Sequence, residues 1–370
     1  MLDFHGIIFA YRTTPALGEL VSRRTAASLP FCGRYRLINF PLSSLMNAGV
    51  RDVGVIMQRD YQSLLDHLGS GKPWDMSRKD RGLRILPPFG LPEYHTGNYA
   101  GTMEALNAVS LYVRDIPQKH VVLLLGDLVA NIDLRPIFEQ HLHSGAAITA
   151  ICSDRNPQAT RHRFVLGEDG FVKEALYDVG AEGEGLASLE GYVIEKETLL
   201  HLMDACRAKN FYRFHRDGIG MFLAEGGKMD VAVHKGYAEI IRSVEGYYQA
   251  SRDTLEAEVR RQLFPAERPV RTKNHEGVST YYGEHAVSKN SLVADNCIVE
   301  GELENCILFS GVRVGPGAKL KNCILFRNTI IGENAKLDCV VADKECTFKP
   351  GTELKGSESL PIVVGKGKQI

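Results

Sequence analysis

Residues 305–326 read NCILFSGVRVGPGAKLKNCILF. The run Asn-Cys-Ile-Leu-Phe returns after 17 residues, and Ile, Val and Leu recur near every sixth position, with Gly315 and Gly317 at turns. A fixed short period of this kind marks a solenoid, in which each coil buries its apolar side chains against the next. The pattern extends outward on both sides. Asn-Cys-Ile also stands at 296, Asp-Cys-Val at 338, and Gly332 and Gly351 mark further turns. Residues 284–370 are therefore read as a left-handed parallel β-helix of hexapeptide repeats, with cysteines and apolar residues stacked coil upon coil. An antiparallel sandwich, the main rival, has no reason to repeat in hexads.

Upstream the texture differs. GIIFA, DVGVIM, HVVLLLGD and AAITAICS are short apolar runs, as expected of strands buried on both faces of a mostly parallel sheet. Helical patterns alternate with them: FPLSSLMNAG, YQSLLDHLGSG and TMEALNAVSLYVRD, the last with Thr102 as its N-cap. This alternation predicts a Rossmann-like α/β domain over residues 1–252, with ligands at the carboxyl ends of its strands. Residues 253–283 are charged, contain Pro265 and Pro269, and read as a helix and linker.

The totals exclude several function classes. Among 370 residues 44% are hydrophobic and 24% charged, and the net charge of −1 gives no field for nucleic acid or an acidic membrane. No apolar run reaches the roughly 20 residues that span a bilayer, and no signal peptide is evident, so a cytoplasmic location is expected. The eight cysteines form no CxxC pair and read as buried reduced thiols. His141 and His143, two apart, do not share a helix face and read as no metal site.

The first strand poses the functional question. Residues 6–20, GIIFAYRTTPALGEL, lead from a buried strand into a loop that a nucleotide enzyme would make rich in glycine, yet it holds Tyr11 and Arg12. Together with PFCGRYRLINFPLSSLMNAGV, GSGKPWD, LPP before YAGTMEAL, LLLGD and the hexad repeat, the chain resembles the glucose-1-phosphate adenylyltransferase (ADP-glucose pyrophosphorylase) family along nearly its whole length. Within it, the chain looks most like the GlgD-type branch, which pairs with a catalytic GlgC-type subunit. The resemblance implies a nucleotidyltransferase-like domain and a chemistry of joining ATP and glucose 1-phosphate into ADP-glucose and pyrophosphate. That reaction depends on positioning and charge neutralisation.

Aligned from Pro30-Phe31 without gaps, the family's loop glycines fall on Tyr11, Arg12 and Thr14, its arginine on Ala16 and its lysine on Ala26. Glycine suits such a loop because it admits φ > 0 and leaves room for phosphate. The first metal-binding aspartate is matched by Asp127, the second falls on Ala250 with Asp253 nearby, and the sugar-phosphate lysine falls on Asp178. Gln58, Gly101, Thr102 and Trp74 match positions around the family's nucleotide pocket. Arg23, Arg24 and Arg36 match basic residues that bind anionic effectors, sugar phosphates or nucleotides, near the domain junction in relatives. The expectation is a regulatory subunit with no intact catalytic set and no certain cofactor, Asp127 being a weak metal remnant. It works in a heterotetramer whose Mg²⁺ belongs to the catalytic partner, and it raises glycogen synthesis. The alternatives are an active sugar-phosphate nucleotidyltransferase with an altered site and a free-standing binding module.

Overall fold

The structure, a computed structural model, describes residues 3–12, 14–79, 81–87, 99–180, 183–274 and 277–370. Thr13 of the first loop and Pro88 of the LPP motif lie outside them. The described chain forms two compact units that interleave along the sequence, where the reading above divides it linearly at 252 and 283. One comprises 1–12, 38–240 and 263–271; the other comprises 13–37, 241–262 and 272–370.

The first unit is built on a nine-stranded sheet. Its centre is Phe4–Phe9, parallel to Val53–Ile56 on one side and to His120–Leu125 on the other, with Leu83–Leu86 parallel beyond Val53–Ile56. Ile7, Ile8, Val122 and Leu124 have no exposed surface. This is why these strands read as continuous apolar runs: both sheet faces are covered. Beyond His120–Leu125 the sheet turns antiparallel. Leu186–Glu195 runs against His120–Leu125, Ile148–Ser153 and His162–Leu166, with a bulge between Ser188 and Gly191. The predicted helix at TMEALNAVSLYVRD divides into Thr102–Ala108 and Ser110–Arg114, with Val109 between them at φ −113°. Its N-cap is Gly101 rather than Thr102. A Cβ at Gly101 would stand 2.2 Å from the Tyr212 carbonyl oxygen, so the close passage of that backbone demands glycine.

The second unit contains the β-helix. Three faces of five parallel strands each stack Tyr281–Tyr282, Val287–Lys289 and Leu292–Val293 under their successors, ending at Thr347–Phe348, Glu353–Lys355 and Ile362–Val364. Val299, Leu308, Val312, Leu325 and Val340 fill the interior. The Asn-Cys repeat has a corner function. Asn305 and Asn322 both take φ near +53°, which asparagine tolerates, and their side chains bridge coils: Asn290 Nδ2 donates to Asn305 Oδ1 at 2.8 Å, Asn305 to Asn322 at 3.3 Å, and Asn322 to Asp338 Oδ1 at 3.0 Å. Cys306 stacks on Cys323, but the 16-residue step that follows moves Cys339 out of line. Ile324 pairs with Val341, so Cys339 takes the corner place of Asn322, at φ 53°, and Val340 stands beneath Cys323. Cysteine stacking thus fails at this coil, while the apolar interior continues. Asn296 lies at a different corner, opposite Gly311 and Asn328. All eight cysteines are unbridged.

Candidate functional site

In the first unit the sheet ends at a cluster of polar groups. Phe9 is followed by Ala10, whose N–H donates to the Ile56 carbonyl, and Gly126 N–H donates to the Phe9 carbonyl, which sets Asp127 beside the loop. Tyr11 folds back onto the sheet and is 7% exposed. Its ring stands edge-on to Tyr99, 5.1 Å between centroids, and its hydroxyl faces Thr102. Burial pushes that hydroxyl's pKa above the usual tyrosine range.

Arg12 points the same way. Its Nη2 donates to Glu190 Oε2 at 2.8 Å, with the guanidinium largely buried and Glu190 2% exposed. Burial opposes the charge, but Glu190 first and Asp127 next hold the guanidinium's pKa above its ordinary value. The positive side chain in the loop is therefore neutralised by the protein's own carboxylates. Glu190 sits at the bulge of Leu186–Glu195 with φ 53°, a region that favours glycine, and its N–H donates to Ser188 Oγ at 3.0 Å. Two histidines adjoin it: His215, in the π-helical turn Phe214–Gly218, and His162, at the start of His162–Leu166.

The other sequence-derived positions of this unit are spread around the sheet. Gln58 is buried just past Val53–Ile56, and Trp74 has no exposed surface and lies 5.9 Å from the His67 ring, a core position. Thr102 opens its helix under Tyr11. Asp178 is exposed, at φ 54°, just past Val172–Tyr177.

The second unit holds the remaining positions. Thr14 Oγ1 donates to the Arg242 carbonyl at 2.7 Å. Ala16 is exposed on the 3₁₀ turn Pro15–Val21, and Ala26 is buried in Ala26–Ser28. Ala250 is buried in the helix Val244–Asp253, which Ser243 caps by accepting from Gly246 N–H; Gln249 Nε2 donates to Asp253 at 2.7 Å. Arg23 is exposed. Arg24 is buried, and its Nη2 reaches both oxygens of the buried Asp343, at 2.7 and 2.5 Å, while its Nη1 makes no hydrogen bond. Arg36 lies in the short hairpin with Pro30–Phe31. Lys344 joins this group. Burial first, then Arg36 and Arg24, push its ammonium down to about 8, with Asp343 opposing and Lys366 adding to the effect.

Glu190, His162, His215, Asp343 and Lys344 were not singled out by the sequence. The available signal was an acid within or directly after an apolar strand run, as with Glu190 in LASLEGYVI and Asp343 after VVA. A buried charge is almost always paired, so each such residue points to an unseen partner.

Comparisons with known proteins match both parts. A nucleotidyl transferase family model matches residues 17–164, and a GlmU-like, C-terminal hexapeptide model matches residues 276–358. The chain is 34% identical over 362 residues to the glycogen biosynthesis protein GlgD of Bacillus subtilis, covering 98% of this chain and 95% of that one. It is 33% identical over 372 residues to the glycogen biosynthesis protein GlgD of Geobacillus stearothermophilus, covering 98% and 96%. A glucose-1-phosphate adenylyltransferase of Clostridium botulinum is 31% identical over 307 residues, covering 81% and 78%. Both domain types are matched in order and GlgD proteins align from end to end: the chain belongs to the glucose-1-phosphate adenylyltransferase family, on its GlgD branch.

Proposed function

We propose that this chain is a regulatory, catalytically degenerate subunit of glucose-1-phosphate adenylyltransferase, acting in the cytoplasm in glycogen biosynthesis by raising the activity of a GlgC-type catalytic partner within a heterotetramer. The observation that carries the reading is Arg12. A loop that serves a triphosphate must leave backbone N–H groups open and keep positive charge uncommitted. Here Arg12 is spent on Glu190 and Tyr11 is packed on Thr102 and Tyr99. The names of the relatives support the pathway.

The residues present do not fit a resident Mg²⁺, which takes oxygen ligands in octahedral geometry. Asp127 lies in the field of the Arg12 guanidinium, and Ala250 offers no oxygen. The Mg²⁺ of the reaction is accordingly the partner's. Losing one preorganised electrostatic group commonly costs about 10²–10³ in rate, and several are missing together. The cluster of Arg24, Arg36 and Lys344, where burial first and the positive neighbours next depress the Lys344 ammonium, supports binding of an anionic sugar-phosphate or nucleotide effector. Such an effector would act by favouring the partner's active state.

The test is pyrophosphate release from ATP and glucose 1-phosphate with Mg²⁺, using this chain alone, a catalytic GlgC-type subunit alone, and both. The expected result is no turnover by this chain and a gain when the two are mixed. Robust turnover by this chain alone overturns the proposal in favour of an active enzyme with an altered site. Tight ligand binding with no effect on the partner overturns it in favour of a free-standing binding module.

A further inference from the structure

Among the described residues, one group of side chains converges as metal ligands do: His162, Glu190 and His215, whose ligand atoms lie within 4.8 Å of one another. From this geometry we infer that His162, Glu190 and His215 form a binding site for a borderline divalent transition cation, of which Zn²⁺ is the reference case. The inference is independent of the regulatory role and of any partner.

The distances suit an ion of this class. Ligands about 2.1 Å from a tetrahedral ion stand about 3.4 Å from one another. His215 Nε2 is 3.0 Å from Glu190 Oε2, and His162 Nε2 is 3.8 Å from Oε1, values that bracket that spacing. The two imidazoles are stacked, 4.8 Å between centroids at 25°, so both ring edges address the same carboxylate.

The contacts of His215 agree. His215 is 7% exposed, and its Nε2 makes no hydrogen bond despite facing a carboxylate oxygen. Its other nitrogen, Nδ1, is 2.7 Å from the buried Tyr192 hydroxyl. An imidazole anchored at one nitrogen by an outer partner, with the other nitrogen turned toward a second candidate ligand, is the arrangement of a metal-binding histidine. Glu190 adds a further sign. It is held at φ 53° on a strand bulge, at a cost that non-glycine residues seldom bear, with its side chain turned into the cluster.

Arg12 bears on affinity and on orientation. It holds Oε2, as outer-shell donors to ligating carboxylates do, and its charge is partly met by Asp127. Two imidazole nitrogens and one carboxylate favour Zn²⁺, Co²⁺ or Ni²⁺ over Mg²⁺, which prefers oxygen. This site is therefore chemically distinct from the Mg²⁺ chemistry of the family's reaction. Three protein ligands leave at least one coordination position for water or another small ligand.

The experiment uses the full chain, stripped with a chelator and then titrated with Zn²⁺ against a competing chromophoric chelator, with Co²⁺ as a spectroscopic substitute. The expected result is one equivalent of Zn²⁺, Co²⁺ bands of a nitrogen- and oxygen-bound tetrahedral site, and no competition from Mg²⁺. Glu190→Gln and His215→Asn are expected to lower affinity about 100-fold, and Tyr192→Phe about 10-fold. His162→Asn alters the most accessible ligand and serves if the buried variants unfold. Absence of a stoichiometric equivalent, Co²⁺ bands of thiolate ligation, or affinity unchanged in all folded variants would overturn the proposal.

Discussion

Among the described residues, two arginine–carboxylate pairs with a buried acid differ in their surroundings. Arg12 and Glu190 meet in the first unit, where the next charge acting on Arg12 is another acid, Asp127. Arg24 and Asp343 meet in the second, where Arg36, Lys344 and Lys366 surround them with positive charge. In both places a guanidinium is withdrawn from solvent. At the first, acids outnumber it; at the second, Arg24, Arg36 and Lys344 outnumber Asp343, while Lys366 is paired with Glu345. On the proposed reading, the same pairing closes one anion site and builds a platform for another.

This contrast can be broken or sharpened by experiment. The largest effect is expected from Arg24→Ala, which strands Asp343, 1% exposed, without its partner. A buried pair broken on one side costs about 3–5 kcal/mol, and thermal unfolding should show it as a lower midpoint. A loss below about 1 kcal/mol would mean that Lys344 replaces Arg24. Arg12→Ala is expected to cost less, about 1–2 kcal/mol, because the Arg12 side chain is 19% exposed where that of Arg24 is 5%. Equal losses in the two variants would show that this difference in exposure carries no weight.

The smallest effect is a pH dependence. Lys344 loses its proton near 8, so an anion bound at the cluster should bind several-fold more weakly at pH 9 than at pH 7, measured with a sugar bisphosphate. The sign for stability follows from proton counts. Between about 8 and the ordinary lysine value near 10.4 the unfolded chain holds the proton and the folded chain does not, so this group makes stability rise with pH in that window. Lys344→Met should abolish both trends, and persistence of either would assign them to another group.

Sequence reading recovered what repeats or sits in a motif. The β-helix announced itself because its corners and interior return at a near-constant interval. The interval shortened by one residue at Cys339, and there the count of cysteines misled while the backbone kept its corner conformation. That a loop follows Phe4–Phe9 was legible from the apolar run that ends there. What filled the loop was not, since Arg12 and Glu190 lie 178 residues apart and meet only through the sheet. The helix break at Val109 also escaped, because the apolar spacing runs across it and only the backbone dihedral departs.

The asparagine corner has one more consequence. Each side-chain amide donates toward the next coil in the same sense, from Asn290 to Asn305 to Asn322, so the row has a direction. It arrives at Asp338, whose side chain accepts the last of these bonds and has no amide N–H to hand on. The row thus carries its own full stop. A solenoid has no intrinsic length, and this one writes an end to its polar seam into a single residue, one coil before the strand Glu353–Lys355 closes that face.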